Sequence, residues 1–225
     1  SMVTLYYLRR FLAFFKELIP QSAVSEVQIS VELKKCFDQI HETLESSAHL
    51  LSGSINDQER MQVLSGLGVA ASNYRQTIYD QDFSGNKTAF KTDELLTFIE
   101  VALKHLEYSI ESNKREDQLY HAYNLMTVTE NEGVSISYLP EMLEGQVAVL
   151  SSGYLDTEAS LAVLDALKAS KLFREDQYSY VLYPNKTLPR FLEKNNISPA
   201  EISESELLSK LVLEGNRDII LKDCE

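Results

Sequence analysis

Two carboxylates three residues apart, Glu141 and Glu144, are the side chains whose type and spacing best suit catalysis. On a helix this spacing places both on one face, beside Tyr138. Glycoside cleavage uses paired carboxyl groups because one of them can stay protonated next to a charged partner and act as a general acid. Paired acids are also the ordinary solvated face of a helix, so the sequence leaves both interpretations open.

A group of residues suited to sugar recognition lies just before these acids. His121, Tyr123 and Asn124 follow Tyr120 directly in the chain. Aromatic rings offer a platform for a sugar ring, and an amide supplies hydrogen bonds. The same composition is typical of a buried, tyrosine-rich packing region whose polar tips are satisfied within the protein. If the group recognises a sugar, His121, Tyr123 and Asn124 are the candidate ligand-binding residues.

A second polar and aromatic group follows further along the chain. It includes Tyr178, and ends with Arg190 and Lys194, which lie four residues apart on a short predicted helix. Two cations on one helix face can hold a phosphate or a carboxylate. They can equally pair with Glu193 or with other acids on the surface.

Composition excludes several classes of protein. The net charge of −13 argues against a nucleic-acid-binding surface, which needs clustered Lys and Arg. No phosphate-binding loop, dinucleotide motif or nucleophile elbow is present, and the four histidines have no metal-ligand spacing, so no cofactor and no metal are expected. Two distant cysteines favour a reducing compartment, hence the cytoplasm. The charged residues within 3–19 argue against a membrane span.

Apolar residues recur every three or four positions in the first half of the chain, which predicts helices separated by short connections. Residues 24–31 allow a short extended segment, and residues 82–91 are predicted to be a loop. The first helix carries more apolar residues than one face needs, so it requires a neighbour or a partner surface. The four predicted helices span residues 3–19, 31–48, 56–78 and 92–110.

The second half is less regular. Residues 120–126 are predicted to be a short helix or tight segment, followed by a polar loop over 127–133. The remaining predicted elements are helices over 138–152, 157–172, 188–195 and 205–215 and strands over 178–183 and 218–222. These elements predict a mostly α fold of antiparallel helix hairpins, either a bundle or part of an α/α toroid, with a minor β component. A helical region over 1–118 and a mixed region over 119–225 are expected, and the strand at the chain end indicates a piece of a longer protein.

Three runs in the second half carry a family resemblance: YHAYNLM (120–126), SISYLPEMLEGQVAVLSSGYLD (135–156) and FREDQYSYVLYPNKTLPRFLEKNNI (173–197). They resemble an internal part of a large protein family of the Bacteroidetes type, whose members are described as hypothetical or cellobiose-phosphorylase-like. Residues 1–114 add only compatible helices. The resemblance implies a bacterial, carbohydrate-active protein of α/α-toroid type that acts on a glucoside and phosphate.

The resemblance also implies a role for one carboxylic acid, which protonates the leaving oxygen while inorganic phosphate attacks. Glu141, Glu144 and Asp176 are the candidates in this chain. The expected function is that of a helical domain of such a protein, not catalytic by itself, with oligosaccharide, phosphate and the rest of a longer chain as partners. The alternative is a helical interaction or scaffold module without a small-molecule ligand, which the apolar helix over 3–19 favours.

Overall fold

The computed structural model describes residues 1–129 and 133–221, and the chain forms two compact units, Ser1–Pro184 and Asn185–Glu225. The predicted division between residues 118 and 119 falls inside the first unit. Leu119 and Tyr120 belong to the same hydrophobic core as Tyr6 and Ile110, which lie on the first and fourth helices. Both sides of that predicted division therefore fold together.

Among the described residues of the first unit, six α-helices organise the fold, and their ends follow local capping chemistry. The side chain of Asn56 accepts hydrogen bonds from the backbone at Gln58 and Glu59, which caps the N-terminus of the third helix. Pro20 stands in a 3-10 turn that ends the first helix. The helices are α1 (Met2–Leu18), α2 (Val31–Ser46), α3 (Asp57–Gln81), α4 (Thr92–Glu111), α5 (Leu143–Ser151) and α6 (Thr157–Ala169).

One strand of a two-stranded antiparallel sheet lies within the loop predicted over 82–91, and its partner strand lies within the extended segment predicted over 24–31. Strand β1 (Glu26–Ser30) pairs with β2 (Lys87–Lys91), so that Val27 lies opposite Phe90. The ring of Phe90 is buried against Phe37 of α2, with ring centroids 4.7 Å apart. The loop prediction was wrong in this part because the burial of one aromatic residue outweighs the turn-forming composition of residues 82–86.

A second antiparallel hairpin replaces the short helix and polar loop predicted over 120–133. Strand β3 (Asn124–Thr129) pairs with β4 (Gly133–Tyr138). The alternation of Val134, Ile136 and Tyr138 with serines is the period-two signal that could have predicted β4. Helix α5 therefore begins at Leu143 and not at residue 138, and Pro140 lies in the turn between them.

The main hydrophobic core lies between α1, α4, α5 and α6. Tyr6, Ile110 and Val149 are fully buried there, together with Leu119 and Leu172. A smaller aromatic cluster joins α2, β2 and α4 through Phe37, Phe90 and Phe98. The segment that follows α4 packs directly against the main core. Residues 121–124 therefore lie next to α1 and α5.

The first unit ends in a short hairpin, and three short helices lie in the part of the second unit that the structure describes. Strand β5 (Phe173–Arg174) pairs with β6 (Ser179–Tyr180), so only part of the strand predicted over 178–183 forms. The helices are α7 (Phe191–Lys194), α8 (Pro199–Glu204) and α9 (Glu206–Leu213). Residues 218–221 are not a strand, and Lys222 lies outside the described residues. The prediction of a mostly α fold with a minor β component is confirmed.

Candidate functional site

The segment 119–124 is positioned by a fully buried glutamine. The Gln146 side chain of α5 accepts a hydrogen bond from the Tyr120 backbone NH and donates one to the Tyr120 carbonyl, each 2.8 Å long. The Gln146 amide thus provides a hydrogen-bond partner for both the backbone NH and the backbone carbonyl of Tyr120. The orientation of the neighbouring His121 and Tyr123 depends on this contact.

The amino end of α1 holds the other side of the same segment. The backbone NH groups of Met2 and Val3 both donate to the carbonyl of Ala122. The hydroxyl of Tyr6 donates to the carbonyl of His121 over 2.8 Å. Because the first NH groups of a helix have no partner within the helix, this arrangement satisfies them and fixes the segment against α1.

A small residue lets α5 approach this segment closely. A Cβ atom at Gly145 would stand 2.9 Å from the Cβ of Ala122 and 3.0 Å from its Cα. Any larger side chain would push α5 away from the segment. Gly145 therefore allows Glu144 and Gln146 to reach the residues around Ala122.

The ring of His121 stacks on the ring of Tyr138 at the end of β4, with centroids 4.1 Å apart and planes 13° apart. Tyr138 is half exposed, which leaves its other face open to solvent. Desolvation lowers the pKa of His121, and the nearby Arg115 guanidinium lowers it further, so the ring is neutral at pH 7. Its Nδ1 atom is buried and has no hydrogen-bond partner among the described residues.

Arg115 forms a pair of charge contacts next to this stack. It makes a two-pronged contact with Asp117, with N–O distances of 2.7 to 3.2 Å, and this hydrogen bonding holds the pKa of Asp117 low. Its guanidinium also lies 3.5 Å from a carboxylate oxygen of Glu141, whose side chain is largely buried. Glu141 lies in the turn before α5, so it does not share a helix with Glu144 as predicted.

Glu144, in the first turn of α5, has its carboxylate near the hydroxyl of Tyr123. Desolvation raises the pKa of Tyr123, and the negative charge of Glu144 raises it further. Tyr183 lies near enough to Tyr123 to add to the same effect. The carboxylate of Glu144 is thus engaged by a phenol that stays protonated at neutral pH.

Asn124 completes the arrangement at the start of β3. Its side-chain NH₂ donates to the side-chain oxygen of Asn113 over 2.7 Å, while its own side-chain oxygen is buried without a partner among the described residues. We refer to the polar and aromatic residues of this region as the 121–144 cluster. Its members are His121, Tyr123, Asn124, Tyr138, Glu141 and Glu144.

Four of the predicted site residues lie outside this cluster. Asp176 and Tyr178 stand in the turn between β5 and β6, where Asp176 makes a two-pronged ion pair with Arg174. That hydrogen bonding lowers the pKa of Asp176. Arg190 directly precedes α7 and Lys194 is its last residue, and both are exposed in the second unit.

Sequence reasoning missed Arg115 and named Tyr138 only as a neighbour of the acids. Arg115 lies in the charged run ESNKRED, which is typical of a solvated helix end. The alternation of apolar residues and serines in β4 is the sequence pattern that could have placed Tyr138 on a strand. Gln146 gave no signal at all, because its role depends on a contact with Tyr120, which lies 26 residues earlier.

Two grooves lie elsewhere, between α2 and α3. The larger has a volume of about 450 Å³, and both polar residues such as Thr43 and Gln62 and apolar residues such as Val69 line it. In residues 1–129 and 133–221, no group of His, Cys, Asp and Glu is arranged to hold a metal ion. No helix in that same part of the chain is long and apolar enough to cross a membrane.

The 121–144 cluster has the features of a polar binding surface on a helical domain. The cluster combines a half-exposed aromatic ring with an amide, a phenol and two carboxylates, side chains of the types that suit recognition of a hydroxyl-rich ligand. Each of its two acids already has a partner. The fold and cluster therefore define a helical domain with a polar and aromatic surface.

Comparison with known families gives a match over the last part of the chain. Residues 188–225 match the family model of the GH149 phosphorylase insertion domain 2. This match supports a domain of a glycoside-phosphorylase-like protein, and an insertion domain fits within a larger chain. The matched segment falls within the second unit, so the 121–144 cluster lies outside it. A search of curated proteins finds no match.

Proposed function

We propose that this chain is a helical domain of a glycoside-phosphorylase-like protein and that it contributes a sugar-facing surface without supplying the catalytic acid. The match of residues 188–225 to a phosphorylase insertion domain carries the proposal. The resemblance over residues 120–197 points to the same class. The proposed ligand of the first unit is a gluco-oligosaccharide, in a bacterial and cytoplasmic setting.

The charge partners of the candidate acids support a non-catalytic role. A general acid must remain protonated near neutral pH, which requires a raised pKa. Asp176 has the opposite shift, because Arg174 favours its charged form. Glu141 already has a cationic partner, since one of its carboxylate oxygens lies 3.5 Å from the guanidinium of Arg115. Glu144 is the remaining candidate, and it is engaged by Tyr123.

The stacked pair of His121 and Tyr138 supports the sugar-facing part of the proposal. The open face of Tyr138 is a flat apolar platform, and its inner face is fixed in place by the neutral His121 ring. Phosphate has separate candidate ligands in Arg190 and Lys194 of the second unit.

A combined binding and turnover assay tests the proposal. We expect gluco-oligosaccharide to raise the melting temperature of the chain, while oligosaccharide and phosphate together release no glucose 1-phosphate. A ligand at a hundred times its dissociation constant stabilises the native state by about 2.7 kcal/mol, which is a measurable shift. Phosphorolysis that is lost in Glu144→Gln but retained in Asp176→Asn would overturn the non-catalytic role.

One observation favours the alternative of an interaction module. Helix α1 exposes Phe11 and Phe14, each more than half accessible, although both lie on a helix that packs against α4 and α5. This surface and the 121–144 cluster are formed by different residues. The two functions are therefore compatible within one domain.

A further inference from the structure

Helix α1 carries a stripe of exposed residues with the spacing of a coiled-coil seam. Intervals of three, four, three and four residues separate its members, which corresponds to the a and d positions of a heptad. Four members are large and apolar, with exposed fractions between 43% and 59%. We call this stripe the α1 seam, and it consists of Thr4, Tyr7, Phe11, Phe14 and Leu18.

The opposite side of α1 is held by the body of the domain. Arg9 pairs with Glu107 of α4 at 2.7 Å, and Lys16 pairs with Glu100 of the same helix at 3.0 Å. Arg9 and Lys16 are both at the heptad position f, which faces away from an a/d seam. The two ion pairs therefore orient α1 with the seam toward solvent.

The seam is large enough to be an interface. Side chains of this size bury about 150–250 Å² each when fully covered, so the half-exposed members together present on the order of 400–500 Å². The largest apolar patch of an ordinary monomer has about 300–600 Å² and is often functional.

The charges beside the seam are complementary to those of the same helix running in the opposite direction. Arg10 and Glu17 both occupy heptad position g, are exposed, and make no ion pair among the described residues. When Phe11 of one copy lies opposite Phe14 of the other in an antiparallel pair, Arg10 faces Glu17 on one edge. The two-fold axis repeats this ion pair.

The other edge of the same antiparallel pair is apolar. Leu8 and Phe15 occupy position e and would face each other across the axis. In a parallel pair, position g faces position e of the partner, so Arg10 would meet Phe15 and would find no carboxylate. The charge pattern therefore selects the antiparallel direction.

We propose that α1 is a self-association helix, which joins two copies of this chain through an antiparallel α1–α1 contact related by a two-fold axis. Such an interface is isologous, because the same surface serves both copies and the contact closes on itself. The proposal is independent of any sugar ligand, and it uses none of the residues of the 121–144 cluster.

Exchanging the charges of Arg10 and Glu17 tests two points: whether the partner is a second copy of the chain, and whether the two α1 helices pack antiparallel. We expect the mass of the 25.6 kDa chain to double with rising concentration in sedimentation velocity. Arg10→Glu alone and Glu17→Arg alone each create two like-charge contacts, so each is expected to weaken the dimer about tenfold. The double variant restores the pairs in reversed order and is expected to recover the wild-type dissociation constant.

The apolar part of the seam is tested with a matched pair of substitutions. Phe14→Ser is expected to weaken the dimer about a hundredfold, because it removes a central aromatic anchor. Tyr79→Ser alters an exposed aromatic residue of α3 and is expected to change nothing. A chain that stays monomeric at all concentrations, or a double charge variant that fails to recover association, would overturn the proposal.

Discussion

Replacing Gly133 with alanine is expected to lower the free energy of unfolding by about 3 kcal/mol. Gly133 begins β4 with a φ of 107°, a conformation that side chains rarely adopt. An added Cβ would also stand 2.4 Å from the carbonyl oxygen of Asp57 at the start of α3. Since that atom belongs to the backbone, a side-chain rotation cannot relieve the overlap. Chemical denaturation measures the change.

Gly68→Ala is the matched control for this substitution. Gly68 lies within α3, has no atom within 4 Å of the position of a new Cβ, and has a helical backbone. Alanine is preferred to glycine in a helix interior by up to about 1 kcal/mol, so this variant is expected to be slightly more stable. If Gly133→Ala were as stable as the wild type, the packing of β4 on α3 would be contradicted.

Gln146→Leu is expected to cost about 3 kcal/mol of stability. The leucine fits the buried volume but leaves both the NH and the carbonyl of Tyr120 without a partner. Each unsatisfied buried group carries a penalty of about 1–3 kcal/mol. The release of Tyr120 would also disturb His121 and Tyr123, because they follow it in the same anchored segment. Thermal and chemical unfolding measure the loss.

Gln81→Leu provides the comparison, because Gln81 is exposed at the end of α3. Its substitution is expected to change stability by less than about 0.5 kcal/mol. If Gln146→Leu lost no more than this control, Gln146 would not be the residue that holds the segment.

The helices could be predicted from the sequence because their apolar period is clear and their ends carry capping or breaking residues. Asn56, which caps α3, and Pro20, which follows α1, are examples of such ends. The hairpin of β3 and β4 was missed because its strands are short and mostly exposed, so one face alone carries the alternation. Pairing between distant segments, as in β1 and β2, has no local signal.

The candidate site could be predicted only where its residues are neighbours in sequence. His121, Tyr123 and Asn124 fall in one cluster because they follow one anchored backbone segment. The pairing of Arg115 with Glu141 could not be predicted, since it depends on a turn of the chain after α4. Asp176 was predicted to be a candidate acid, but it forms an ion pair with Arg174. Because Arg174 lies only two residues away, the sequence alone was compatible with this local contact.

Calorimetric titration of gluco-oligosaccharide into the wild type and Tyr138→Ala tests the central claim most directly, because it measures a sugar site at the stacked ring. We predict that the wild type binds and that Tyr138→Ala binds at least about tenfold more weakly, as expected for the loss of one aromatic contact. Tyr79→Ala, at an exposed ring of α3, is predicted to bind as the wild type does. No binding by the wild type, or equal affinity in all three proteins, would contradict a sugar-facing surface at the 121–144 cluster.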